Sequence, residues 1–302
     1  MQAIEIEGQN YTYLEVVNLY GQAYADNVFN TEEKIERNTS IEVFEGLEDD
    51  DTIVKDEIGQ NEEWKIPFIT DKGILIMLNK KEYQLYCALK TIAYREGVTE
   101  QYILFDDDMI CTELSKRLEL YGGLNKQGKK SVVDRKTISK TIKSLIEKDI
   151  LSEKDYKTKD EINETKKAYY IMRGRRFAMI KRGTMQKLVK CYNGDVIKVY
   201  ALFKGMYDNE VSKGNVDSKG KLINPIKINR NIIAETIGHF NKEGKVTERM
   251  LRDISDYIDC ISDKLIDICV DTRKINGKYE SCYYFYEAYD KIKRTRRKRN
   301  NK

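Results

Sequence analysis

The chain has little of what most catalytic sites are built from. Its 302 residues include one histidine, six cysteines and two prolines. The single histidine, His239, excludes a metal site made from a histidine pair and leaves little for Ser–His or Cys–His catalysis. The cysteines form no Cys-x-x-Cys pair, and four lie inside apolar runs, which favours reduced thiols in a cytoplasmic protein. We therefore expect no enzyme, no catalytic residue, no metal and no cofactor.

Long apolar stretches are missing as well. No run of roughly eighteen apolar residues occurs, and the longest apolar stretch, residues 74–78, has the length of a strand. The first residues lack the basic start and apolar centre of a secretory signal. These absences predict a cytoplasmic protein that makes no membrane contact.

Charge is distributed very unevenly, although the net charge is only +4. Residues 1–63 carry seventeen acidic and three basic residues, a net charge of −14. Residues 64–302 carry 51 basic and 33 acidic residues, a net charge of +18. Such asymmetry is typical of an acidic tail on a body that attracts polyanions. We predict that residues 1–63 are largely flexible, with one amphipathic helix over 11–29.

From Trp64 onward, one pattern of three helices followed by a β-hairpin occurs twice. In the first copy, the predicted helices cover 80–95, 105–120 and 132–151, the last with Asp134 as its N-cap, and a strand covers 167–172. In the second copy, the helices cover 194–209, 228–238 and 246–265, the last with Thr247 as its N-cap, and a hairpin over 268–287 turns at Asn276-Gly277. This order predicts a mainly α (α+β) protein of two tandem winged helix-turn-helix domains, 64–190 and 191–288, with a basic tail over 289–302.

The predicted helix over 132–151 has two contrasting faces. An apolar stripe contains Ile138, Ile142, Leu145 and Ile146. The opposite face, called here the basic face, consists of Arg135, Lys136, Ser139, Lys140 and Lys143. No acid occurs from Arg135 until Glu147, whereas solvated helix faces usually mix charge signs.

The basic face suits the third helix of a helix-turn-helix, which lies in the major groove with its N-terminal half toward the bases. We expect Arg135 and Lys136 to contact bases and Lys140 and Lys143 to contact phosphates. Thr137, Ser139 and Thr141 are expected to donate hydrogen bonds to phosphates. The alternative is an ordinary solvated helix in a lysine-rich chain.

Other cations are predicted to contact the same DNA. They are Arg173, Arg175 and Arg176, the adjoining Lys181 and Arg182, Arg249 and Arg252 on the third helix of the second copy, and Lys293, Arg294, Arg296 and Arg297 in the tail. The tail has eight cations among its last twelve residues, which suits phosphate neutralisation. The third helix of the second copy also carries Glu248, Asp253, Asp256 and Asp259. Its polar side therefore suits exposure to solvent or contact with a protein as well as it suits DNA.

Two motifs invite an enzymatic interpretation that their context does not support. The stretch 122–131, GGLNKQGKKS, approaches a phosphate-binding loop, but Lys130 stands where Ser or Thr would hold magnesium and no apolar strand precedes it. A glycine-rich turn accounts for it. Asp106, Asp107 and Asp108 begin a predicted helix, where acids are favoured by capping and by the helix dipole.

The tandem pattern with its basic tail resembles the replication initiators of bacterial plasmids and related origin-binding proteins of low-GC Gram-positive plasmids and phages, over about residues 65–290. The resemblance implies that one unit recognises origin repeats and the other contacts the backbone or dimerises. It makes the basic face the recognition surface and Arg249 and Arg252 secondary contacts. The implied partners are double-stranded DNA, a second copy of the chain, and a host helicase or primase. A transcriptional repressor of a mobile element and a helicase-loading replisome organiser remain alternatives.

Deleting residues 1–63 is expected to tighten nonspecific DNA binding at low salt, because this segment of net charge −14 would no longer compete for the cationic surface. Fluorescence anisotropy with a duplex of arbitrary sequence measures the effect. At high salt the DNA affinities of the full-length and truncated proteins should become equal. Equal affinities at low salt would contradict the hypothesis.

Overall fold

A computed structural model describes residues 3–6, 9–12, 64–96, 100–103, 107–125, 127–156, 166–172, 174–241, 243–262, 265–275 and 277–289. Within these residues the protein is mixed α/β, with eight α-helices and small antiparallel sheets. The predicted mainly α class is therefore correct only in part, since strands contribute more than two small hairpins. No helix in the described residues is long and apolar enough to cross a membrane.

The N-terminal residues differ from the prediction. Strands β1 (Ala3–Ile6) and β2 (Gln9–Thr12) form an antiparallel pair in which Tyr11 lies opposite Ile4. The predicted helix over 11–29 is thus wrong at its start, where alternating polar and apolar or aromatic residues favour a strand. Residues 13–63 lie outside the described residues, so their predicted flexibility stays a prediction.

The first unit contains the three helices that the pattern predicts, together with additional elements. In chain order the elements are β3 (Lys65–Ile69), α1 (Lys72–Met77), α2 (Lys80–Ile92), β4 (Tyr94–Glu96), β5 (Glu100–Ile103), α3 (Asp107–Thr112) with a π-helical extension (Glu113–Arg117), β6 (Tyr121–Leu124), β7 (Lys130–Val132), α4 (Arg135–Glu147), β8 (Leu151–Tyr156), β9 (Lys166–Ile171), β10 (Phe177–Lys181) and α5 (Arg182–Cys191). Its main sheet has the antiparallel order β4-β5-β9-β8.

The second unit repeats this arrangement more simply. Its elements are α6 (Gly194–Ser212), β11 (Ile226–Asn229), α7 (Arg230–Ile237), α8 (Glu248–Ile261), β12 (Ile266–Ile275) and β13 (Lys278–Ala288). The sheet order is β11-β13-β12, so the strand before the second helix pairs with the last strand of the hairpin. The same relation holds for β5 and β9 in the first unit. The two units thus share element order and strand arrangement.

Four elements around α2, namely α1, β3, β10 and α5, were not predicted. Residues 74–77, part of the apolar stretch of strand length, lie in α1, and Leu75 and Leu78 are fully buried. Strands β3 and β10 pair with each other, and α5 packs against α2. Arg182 is buried, and its Nε donates to the carbonyl of Thr91. The predicted place of Arg182 on the DNA face is therefore wrong.

The two units are joined by one continuous hydrophobic cluster. The start of α6 lies against the start of α2, where a Cβ on Gly194 would come within 1.8 Å of the carbonyl oxygen of Lys80. Only glycine allows so close an approach. Further along α6, Phe203 stacks on Phe285 with 4.8 Å between ring centroids. Helix α6 therefore contributes to the packing of both units.

A buried lysine links three helices at the same junction. Lys198 of α6 donates from Nζ to the carbonyls of Leu75 (2.6 Å), Leu78 (2.5 Å) and Ile237 (3.0 Å). These carbonyls end α1 and α7, where the helix dipole is negative. Burial lowers the pKa of Lys198 to about 8, although the nearby Asp195 carboxylate opposes the shift.

Replacing Lys198 with Met is expected to lower the free energy of unfolding by about 2 kcal/mol at neutral pH, because buried carbonyls lose their donor. Urea denaturation followed by circular dichroism measures this. Lys213→Met, at an exposed position just beyond α6, is the matched control and should change stability little. Equal stability of both variants would contradict the linking role.

The same pair of proteins tests the pKa of Lys198. Because its pKa of about 8 in the fold lies below the ordinary 10.5, the unfolded chain binds more protons between these pH values. The free energy of unfolding of the wild type should therefore rise with pH across this window. Its difference from Lys198→Met should be about 2 kcal/mol larger at pH 9.5 than at pH 8. Measurements should stay below pH 10, where exposed tyrosines of the unfolded chain begin to ionise.

Candidate nucleic-acid interface

The helix that carries the basic face, α4, begins at a well-formed cap. Asp134 accepts hydrogen bonds from the Thr137 backbone N (2.8 Å, at Oδ1) and from Thr137 Oγ1 (2.8 Å, at Oδ2). These bonds lower the pKa of Asp134 and keep it charged. The predicted role of Asp134 as N-cap is confirmed. The Thr137 hydroxyl proton is engaged in this cap and is not available to a phosphate.

The apolar stripe sets which way α4 faces. Ile138, Ile142 and Leu145 are buried against α2 and α3, as the spacing predicts. Thr141 lies on the same side and is also buried, and its hydroxyl donates to the Thr137 carbonyl at 2.7 Å. Its predicted role as a phosphate donor is therefore wrong. The opposite side of the helix is left to solvent.

The basic face lies on that solvent side. Arg135, Lys136, Lys140 and Lys143 are exposed, and Ser139 is partly exposed. The side chains of Lys136, Lys140 and Lys143 form no hydrogen bond or ion pair with any described residue. The charges of these three lysines are therefore not neutralised from within the described parts of the chain.

The charges on α4 oppose its helix dipole. The first turn contains Arg135 and Lys136 and no acid, and the last turn contains no base and ends at Glu147. Acids near the N-terminus and bases near the C-terminus would stabilise a helix, so this order is the unfavourable one. A polyanion on the N-terminal half of α4 would compensate for it.

The C-terminal end of α4 is tied to α2 through Glu82. Ser144 Oγ donates to one oxygen of this carboxylate at 2.7 Å, and Lys148 Nζ lies 2.6 Å from the other. Lys148 also donates to the carbonyl of Met77 (2.9 Å). Burial raises the pKa of Glu82, but the hydrogen bonds from Lys148, Ser144 and Asn79 outweigh burial and hold it below its ordinary value. Helix α4 is therefore fixed at both ends.

The glycine-rich stretch between α3 and α4 forms a hairpin, β6–β7, rather than only a turn. Gly123 and Gly128 adopt positive φ angles of 109° and 71°, which glycine allows without strain. Lys129 and Lys130 are exposed on it, and so is 66% of Leu124. The hairpin runs directly into α4, and it carries these two cations. The sequence-based prediction of DNA contacts did not include these two lysines, although they stand next to each other in the stretch 128–131, GKKS.

The remaining predicted contacts lie on separate elements. Arg175 and Arg176 are exposed just before β10, and the Arg176 backbone N donates to Asp71 Oδ2 at 2.9 Å beside the start of α1. The structure does not show them on the same surface as α4. Arg173, Lys293, Arg294, Arg296 and Arg297 lie outside the described residues. For all of these, DNA contact stays a prediction.

Helix α8 matches α4 in position but not in charge. Ile254, Ile258 and Ile261 are buried, and Thr247 caps the helix as predicted. Arg249 and Arg252 are exposed near its N-terminal end, with Asp256 and Asp259 exposed toward its C-terminal end. Asp253 instead lies 3.0 Å from His239 Nε2. Only the N-terminal half of this helix suits a polyanion.

No protein-family model, curated protein or solved structure matches the chain. Among the described residues, no group of three or more His, Cys, Asp or Glu side chains is placed to hold a metal ion. The chemistry of the basic face and its surroundings therefore carries the functional conclusion.

Lys136→Glu is expected to raise the free energy of unfolding by about 0.5 kcal/mol, because an acid in the first turn suits the helix dipole and Lys136 has no partner to lose. Urea denaturation measures the change. Lys143→Glu, nearer the C-terminal end of α4, should give no such gain. A loss of stability in Lys136→Glu would show that this lysine makes a stabilising contact.

Proposed function

We propose that the protein is a sequence-specific double-stranded DNA-binding protein that initiates replication of a plasmid or phage genome in the cytoplasm. In this proposal each unit is a winged helix-turn-helix. The matching element order and the matching strand orders β5-β9-β8 and β11-β13-β12 support it. The basic C-terminal tail adds nonspecific affinity through phosphate neutralisation.

One observation carries the proposal: the basic face is exposed, free of acids and placed against the dipole of its own helix. Arg135 and Lys136 occupy the first turn, the part of a recognition helix that reaches base edges. In the major groove both can donate to O6 and N7 of guanine. Lys140 and Lys143, one and two turns further on, are assigned to backbone phosphates. Affinity then comes from contacts with the DNA backbone, and specificity comes from base contacts made by the first turn of α4.

The second unit is assigned a supporting role. Its hairpin exposes 74% of Tyr279, and Lys274 Nζ lies 5.9 Å from the centre of that ring. We assign this hairpin and Arg249 and Arg252 to backbone contacts. An initiator that binds repeated origin sites needs such extra contacts beside the recognition helix, and it also needs self-association, which the second unit would provide.

A second function, a replisome organiser that loads a helicase, is favoured by one feature of α8. Asp256 and Asp259 form an exposed acidic end that would repel DNA and would suit a basic protein surface. In that case the first unit binds DNA and the second binds the host helicase or primase. Co-purification of that helicase with the wild-type protein, lost in Asp256→Lys with Asp259→Lys, would favour this function.

The double substitution Lys140→Glu with Lys143→Glu is expected to weaken specific DNA binding at least about 100-fold at moderate salt, since two phosphate contacts become repulsions. Both side chains are exposed, so the fold should be kept. Affinity for the target duplex, found by footprinting on the DNA of the element that encodes the protein, is measured against salt concentration. The slope of the logarithm of affinity against the logarithm of salt concentration should also become shallower by about two, because about two fewer counterions are released.

The matched control is Lys187→Glu with Lys219→Glu, which has the same change in charge at exposed sites on α5 and on the loop after α6. Its binding should fall only slightly. Equal losses in both variants would mean that net charge, and not the basic face, determines affinity, and would refute the proposal. A footprint on direct repeats beside an AT-rich segment supports initiation, whereas a footprint over a promoter supports repression.

A further inference from the structure

A cavity of about 450 Å³ opens beside the first turn of α4. Its walls are the start of α2, the hairpin β6–β7 and the first two turns of α4, and Asn193 before α6 lies at its edge. Small-molecule sites typically occupy roughly 300–1,000 Å³. The cavity is therefore large enough for a compact metabolite, and none of the DNA contacts proposed above uses it.

The electrostatics of this cavity favour an anion. The N-termini of three helices, α2, α4 and α6, meet around it, and each contributes the positive end of a helix dipole. The exposed side chains of Lys80 and Lys81 line it and form no hydrogen bond or ion pair with any described residue. Asp134 is the acid in the lining; it is charged, and both of its oxygens are bonded to Thr137. The lining therefore keeps an excess of one positive charge.

The inner wall of the cavity offers a hydrogen-bond acceptor, the side-chain carbonyl of Gln84. Gln84 is 4% exposed, and its Nε2 donates to the carbonyls of Tyr121 (2.9 Å), Val189 (3.1 Å) and Tyr192 (3.1 Å). Three carbonyl partners fix which end of the amide is nitrogen. Oε1 accepts a hydrogen bond from none of the described residues, and it is not among the fully buried atoms that lack a partner, so it is open to the cavity. A ligand with an N–H or O–H group would donate to this oxygen.

The rest of the inner lining is apolar. Leu85, Leu120 and Ile138 are buried and contribute to it, with Tyr121 half-buried beside them. An apolar wall with a few polar groups is the usual composition of a small-molecule site. The cavity therefore combines a cationic mouth, an open hydrogen-bond acceptor and an apolar surface.

We infer that this cavity binds a free nucleotide, with the phosphate at Lys80 and Lys81 and the base toward Gln84 and the apolar wall. A nucleotide has the required anionic group, the ring area and the N–H donors in one molecule of suitable size. The inference goes beyond DNA binding and does not depend on it. Because Thr137 and Ile138 belong to α4, an occupied cavity would also contact the helix that carries the basic face.

Isothermal titration calorimetry of the full chain with AMP, adenosine and inorganic phosphate tests the inference. AMP should bind saturably, and adenosine and phosphate should each bind at least about tenfold more weakly, because each satisfies only half of the site. Lys80→Ala with Lys81→Ala should weaken AMP binding about tenfold. Lys187→Ala with Lys219→Ala, which removes two exposed lysines elsewhere, should leave it unchanged.

Two further variants separate this site from the DNA surface. Ser131→Phe places a ring in the cavity and should abolish AMP binding, with circular dichroism showing that the fold is kept. Lys140→Glu with Lys143→Glu should bind AMP as the wild type does, whether or not it has lost DNA binding. The inference is overturned if AMP does not bind saturably, if the Lys80 and Lys81 substitutions have no effect, or if the Lys140 and Lys143 substitutions weaken AMP binding equally.

Discussion

The rest of the structure depends on how helix α4 is held. Its apolar stripe is buried against α2 and α3, its N-terminus is capped by Asp134, and its C-terminal end is bonded to Glu82 through Ser144 and Lys148. A helix fixed along one side and at both ends cannot rotate to pair its lysines with acids elsewhere. The exposure of Lys136, Lys140 and Lys143 therefore follows from how the core holds α4.

Comparison of the two third-helices shows what is specific to the first. Both α4 and α8 bury isoleucines on one side and are capped by a polar side chain, so the packing requirements of the two helices are the same. Packing does not dictate the exposed side, where α4 is uniformly cationic and α8 changes from Arg249 and Arg252 to Asp256 and Asp259 along its length. The N-terminal bases of both helices and the C-terminal acids of α8 oppose the helix dipole, so helix stability does not explain them, whereas Glu248 in the first turn of α8 has the favourable order. The DNA and protein partners proposed above would account for these charges.

Sequence reasoning located the elements whose signals are local. The caps Asp134 and Thr247, the apolar stripe of α4 and the hairpin of strands β12 and β13 each depend on a few neighbouring residues, and all were confirmed. The pairing of β3 with β10, the helical state of residues 74–77 and the burial of Arg182 depend on contacts distant in sequence. Of the candidate site, the exposed lysines could be predicted, but Thr141 could not, since a threonine beside a stripe of isoleucines is compatible with either face.

The close contact of Gly194 with the Lys80 carbonyl has consequences beyond packing. It brings the N-terminus of α6 beside that of α2, and the cap of α4 joins them across the cavity. Three positive helix ends and two unpaired lysines in one place would repel one another if the units were assembled for stability alone. The fold retains this arrangement at the junction of its two units, where Lys198 already holds α1 and α7 by their negative ends. Cations thus meet carbonyls inside the junction, while the helix N-termini and the two lysines face outward, where Glu82, Asp134 and Asp195 offset part of the positive charge.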